Sequence, residues 1–260
     1  MTDPFEPGAA APEFGDSDSL LAWLKSRERG VSVAIAARAS LRALPMLAAD
    51  LHHADGQGFF RSQLVLPVFR AMAASWCAVR YPELADGIGA LSAADAAEAA
   101  DDAADVAVAA DAAVAAGFAA EAADLATSPG DAAKSAAAAV GSAAAIYDGE
   151  IARCFWEAIS ADAEQIEAGE SAAVVAESRL WPEGQPLRGV WRSLRDHLLT
   201  ANEDWQVWTG WYDDRLVGCS REQEHELSFV CIPEKIWNRG PLTVNGWIRQ
   251  ELARLDGAQN

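Results

Sequence analysis

Residues 205–218 read WQVWTGWYDDRLVG, and the fold turns on whether these aromatics form a ligand box or one face of a packed helix. Placed on a helix over 203–217 at about 100° per residue, Trp205, Trp208, Tyr212 and Leu216 fall within one stripe about 80° wide. Asn202 or Asp204 is positioned to cap its start, and Gly218 stands where a glycine ends a helix. Arg215 lies in the last turn, where a cation opposes the helix dipole. The stretch therefore predicts a helix with an aromatic seam against a core. Trp211 lies roughly 100° from the centre of the stripe. It either packs on a second neighbour or, with Arg215, serves as a partner-binding anchor, since Trp and Arg are enriched at interface centres.

Working outward, helical signals recur and strand signals do not. Alternation of period two never persists, so the chain reads as a compact all-α, multi-helix domain over 17–260, behind a disordered, acidic, Pro/Gly-rich tail over 1–16. LLAWLKSRER reads as a first helix ended by Gly30, and VSVAIAARASLRALPML as a central helix stopped or kinked at Pro45. Phe69, Met72, Trp76 and Val79 share a face of the next. Ile151, Phe155 and Ile159 form a stripe, and Trp191, Leu194 and Leu198 another. Ser220 and Gln223 read as a capping box. Pro233 opens a turn, Gly240 closes it, and Pro241 opens the last helix.

Between these aromatic stretches, residues 91–145 are Ala-rich and carry no Lys or Arg until Lys134. Alanine is the strongest helix former, but each methyl buries little area. Such faces hold together only when helices approach closely, which predicts a tight helical hairpin or layer, opened in part at Ser128-Pro129.

The totals exclude some functions. The 260 residues carry a formal net charge of -19, which disfavours nucleic acid and anionic membranes and leaves a protein partner, basic by complementarity. No apolar stretch reads as greasy enough to span a bilayer and no apolar leader opens the chain, so a cytoplasmic protein is expected. The four cysteines lie far apart and read as reduced, small buried hydrophobes.

Catalytic patterns are missing. There is no GxSxG, GxGxxG or GxxxxGK[ST], and no cofactor is expected. Asp50, His52, His53 and Asp55 crowd one loop and are weak candidates for a metal, since four ligands rarely come from six residues. Arg38 and Arg42, spaced i, i+4 in an apolar helix, read as an ion-paired couple or, secondarily, as a clamp for a partner's carboxylate.

The signature WxxWxxWYxxRLxG followed by IPEKIWNRGPLTVNGWI resembles an uncharacterised helical module of bacterial proteins, over about residues 180–250. The resemblance implies a structural role for Trp205, Trp208, Trp211, Tyr212, Arg215, Trp237, Gly240, Pro241 and Asn245, and no activity. The expected function is a non-enzymatic interaction, adaptor or regulatory protein. One alternative is a sensor or enzyme with a site between helices, lined by Arg38, Arg42, His52 and His53 with Trp211 or Arg215. Another is a self-assembling structural component using its alanine faces.

Overall fold

The computed structural model describes residues 12–52, 58, 60–84, 107–124 and 128–258. Among these residues the fold is all-α, with twelve α-helices and no strand. Helix α1 (Ser17–Leu24) starts where the Asp16 carboxylate accepts the Ser19 N–H at 2.7 Å. It ends before the glycine expected to stop it: Gly30 lies inside α2 (Arg29–Ala43), facing Ala172. Helix α2 is buried on all sides from Val31 to Ala43. Pro45 follows, and the chain tightens into the 3-10 segment Leu44–His52, as a residue without an N–H requires. A π-helical turn, Phe60–Val65, leads into α3 (Leu66–Arg80), which carries Pro67 in its first turn.

Two Ala-rich helices, α4 (Ala107–Ala123) and α5 (Pro129–Ala145), pair with each other and both pack on α2. Ser128 caps α5 through the Asp131 N–H at 3.2 Å, with Pro129 in the first turn. The expected hairpin is thus present over 107–145, and residues 91–106 lie outside the described residues. Alanine faces of both helices are buried within this chain, against α2 and α3.

The second half of the chain wraps this layer: α6 (Gly149–Glu167), α7 (Ala172–Glu177), α8 (Arg188–Thr200), α9 (Gln206–Val217), α10 (Gln223–Leu227), α11 (Glu234–Trp237) and α12 (Pro241–Ala258). Helix α9 begins three residues later than its pattern indicates. Asn202 and Asp204 are not caps but take left-handed backbone, φ 54 and φ 56, a conformation Asn and Asp tolerate through local side-chain hydrogen bonds. Gly218 does end α9, at φ 75, and a Cβ there would meet the Glu177 carbonyl oxygen at 2.7 Å. The Ser220–Gln223 capping box does not form; Glu222 stands at the N-cap of α10 without a side-chain bond.

Two expectations about the apolar segments need correction. Phe14, assigned by composition to the tail, packs on the bundle: its N–H donates to Ser160 Oγ at 3.1 Å and its ring meets Trp23 edge-on. Two helical segments, Arg29–Ala49 and Phe60–Arg80, do have the length and mean hydropathy to cross a bilayer. In the fold they are the central pair, 89% and 83% buried.

Candidate functional site

The aromatic seam of α9 is core. Trp208 is enclosed by Phe69 at 5.3 Å and Phe229 at 5.0 Å between ring centroids, with Trp211 edge-on at 6.4 Å. Its indole N–H reaches Asn245 Oδ1 at 2.9 Å, and Asn245 Nδ2 in turn donates to the Glu203 carbonyl at 2.7 Å. The Trp205 N–H reaches the Glu203 carboxylate, and the Tyr212 hydroxyl donates to the Leu41 carbonyl at 3.0 Å. These three aromatics thus each bring a partner for the polar atom, as burial requires. Trp76 differs: its buried indole N–H has no hydrogen-bond partner among the described residues.

Trp211, off the stripe, packs on a second neighbour and is fully buried. Its N–H donates to Glu226 Oε2 at 2.9 Å, and Arg215, one turn on, donates to Glu226 Oε1 at 2.8 Å. The Arg221 backbone N–H takes the same oxygen at 2.8 Å. The guanidinium of Arg215 lies over Trp76 at 4.0 Å and Trp211 at 5.2 Å from the ring centroids. Helices α9 and α10 are therefore joined by one buried carboxylate held from three sides. Cys77 sits beside this group; burial first, and then the Glu226 charge, push its thiol pKa well up.

Arg38 and Arg42 form a second node. Both meet Asp162 Oδ2, Arg38 Nε at 2.9 Å and Arg42 Nη1 at 2.8 Å, and all three side chains are at most 2% exposed. Burial alone would raise the Asp162 pKa, but the two guanidiniums outweigh it and hold the carboxyl below its ordinary range. The remaining guanidinium protons meet backbone. Arg38 donates to the carbonyls of Val175 (2.8 Å), Ser178 (2.8 Å) and Arg179 (2.8 Å), and Arg42 donates to that of Leu180 at 2.8 Å. Helix α7 ends here, and arginine meets its last carbonyls, that of Val175 together with the Ser178 N–H and hydroxyl. The Tyr147 hydroxyl donates to the Arg42 carbonyl at 2.7 Å.

The four residues expected as partner anchors, Trp211, Arg215, Arg38 and Arg42, are thus all internal. They fall in two nodes, and none lines either of the two cavities described below. The side chains of Asp50 and His52, and the whole of His53 and Asp55, lie outside the described residues. Of the cysteines only Cys77 is buried; Cys154 is half-buried, and Cys219 and Cys231 are exposed.

Two carboxylates that organise the interior are not singled out by the sequence reading, although Asp162 leaves a trace. It continues the stripe Phe155, Ile159 at the next turn of α6, so a charged residue occupies an apolar position. Glu226 shares a face with Glu222, a pattern that by itself reads as solvated.

The described residues form several open cavities, two of them lined by tryptophan. One, of about 550 Å³, lies between the start of α3 and α11, where Arg70 stacks on Trp237 at 4.3 Å. The other, of about 770 Å³, runs between α6 and the loop that follows Trp181. Glu13, Glu150, Glu157, Glu164 and Glu183 line it against a single cation, Arg153. Trp156 and Trp181 form its wall. No family model, curated protein or solved structure matches this chain.

Proposed function

We propose that this chain is a non-enzymatic interaction protein, an adaptor or regulatory subunit, whose partner is a basic protein. The observation that carries this reading is how the charge is distributed. Asp and Glu number 39 against 20 Lys and Arg, and three of those arginines, Arg38, Arg42 and Arg215, are buried on internal carboxylates. The carboxylates around the larger cavity are exposed instead, Glu13, Glu150, Glu157, Glu164 and Glu183 among them. A surface of one sign steers a partner of the other and sets its register.

The groups with the most altered proton affinity also fit a structural role. Cys77, Tyr147, Asp162 and Tyr212 are enclosed in the core and line neither cavity. General acid–base chemistry needs such a group within reach of a bound substrate.

The test is affinity capture from native lysate over a salt series, with the captured proteins identified. The reading expects a basic protein retained at low salt and released as salt rises. Repeated recovery of the bare chain at low salt would overturn it.

A further inference from the structure

Resting on that reading, we infer that the groove between α6 and residues 181–186 is the seat of the basic partner and takes an arginine-bearing segment of it. At about 770 Å³, the groove is within the range of pockets that enclose several ligand groups. Five glutamates and one arginine give it a net charge of -4 (one minus five). Arg153 is already paired with Glu150 and Glu157, so the facing cation is itself engaged. Glu13, Glu164 and Glu183 have no ion pair among the described residues.

Carboxylates alone would read as a solvated face. Here they rim an indole wall. Trp156 is half-buried and lines the groove. Behind it, Trp181 carries the Arg42 guanidinium 5.6 Å from its ring centroid on the inner side, so this wall already accommodates a guanidinium on one side. A carboxylate rim over aromatic rings offers an arginine both an ion pair and a ring face, where a lysine gains only the point charge. Pro182 and Pro186 lie in the two turns of the loop and line the groove.

Charge complementarity also selects the occupant. A second copy of this chain brings another net charge of -19. Residues 1–11 contain Asp3 and Glu6 and no Lys or Arg. A separate basic protein fits where these do not.

The test uses the full chain and fluorescein-labelled nona-arginine and nona-lysine peptides, read by fluorescence anisotropy at low and physiological salt. The expected result is that Glu164→Gln with Glu183→Gln weakens nona-arginine binding by about tenfold, while Glu224→Gln with Glu234→Gln, the same charge change elsewhere, weakens it less than about twofold. Trp156→Ala should weaken nona-arginine by roughly fivefold and nona-lysine less. Far-UV circular dichroism checks each fold; if Trp156→Ala fails to fold, the two glutamate pairs, all exposed, decide the matter. Equal losses in the groove and control pairs would remove the groove while leaving the basic-partner reading intact. Failure of both peptides to bind at low salt, together with bare recovery from lysate, would remove both. Concentration-dependent dimerisation by sedimentation velocity, abolished by Trp156→Ala, would assign the groove to a second copy and overturn the proposal.

Discussion

Removing the carboxylate of Asp162 should be among the most damaging single changes in the chain. Its Oδ2 lies 2.9 Å from Arg38 and 2.8 Å from Arg42, and Asp162→Ala leaves two guanidiniums in the interior without a counter-charge. Breaking a buried pair by taking one partner costs about 3–5 kcal/mol. Two arginines lose their charge partner here, which pushes the cost up. Each keeps carbonyl acceptors in residues 175–180, which holds it within that range. For a domain of this size the loss corresponds to a fall in Tm of roughly 6–20 °C. Asp162→Asn keeps the volume and an acceptor, so it separates the charge from the cavity and should cost less than the alanine variant. The assay is urea unfolding at pH 7, followed by tryptophan emission and far-UV circular dichroism. A cost below about 1 kcal/mol, with an unchanged denaturant slope, would refute the claim that this carboxylate neutralises the node.

The same node gives a pH dependence. Asp162 and Glu203 both have folded-state pKa values below their ordinary 3.8 and 4.5, because in each case arginine outweighs the raising effect of burial. Their stabilisation is complete above those ordinary values and is lost as pH falls through the lowered folded ones; acid unfolding curves of Asp162→Asn should therefore be flatter below pH ~4. Gly218→Ala should destabilise by at least about 2 kcal/mol, read as a shift in urea midpoint. Residue 218 sits at φ 75 and its new Cβ would meet backbone atoms of Glu177 and Arg179 at 2.7 and 2.8 Å, in a segment Arg38 holds still. Trp208→Ala should cost about 3–5 kcal/mol in the same assay. Emission of the native protein should be blue-shifted and poorly quenched by iodide, since six of its indoles, Trp76, Trp181, Trp191, Trp205, Trp208 and Trp211, are buried; emission like that of free tryptophan would contradict the fold.

What the sequence made legible follows from what is local. Helical periodicity, the proline at the head of α5 and the glycine behind α9 are decided within a few residues, and each appears where its pattern places it. The alanine hairpin is legible too, because only close helix contact makes such faces useful. Gly30 misled because a glycine serves close packing as well as it serves termination, and only the neighbour Ala172 separates the two roles. Ser220 misled because a capping box needs a backbone angle as well as a spacing.

The charged nodes are a different case. Arg38 and Arg42 declared themselves as a pair, but Asp162 is more than a hundred positions away and its helix shows only a carboxylate at an apolar step. Trp211 and Arg215, spaced i, i+4, mark a second face of α9 beside the aromatic stripe, and Glu226 supplies the reason for it. The groove assembles Glu13, α6 and the 181–186 loop from three separate places, so no spacing rule could have collected it.

The alanine layer carries one further consequence. Ala112, Ala116 and Ala119 of α4 and Ala133, Ala136 and Ala139 of α5 have no accessible surface at all, and a methyl has no rotamer with which to yield. Any longer side chain there must wedge the helices apart, and α2, against which both lie, would be displaced along with the arginines it carries. The plainest stretch of the chain, rich in one residue and poor in chemistry, thus has the narrowest tolerance for enlargement. Its monotony is a dimensional constraint: the thickness of this layer fixes where the charged centre of the molecule can stand.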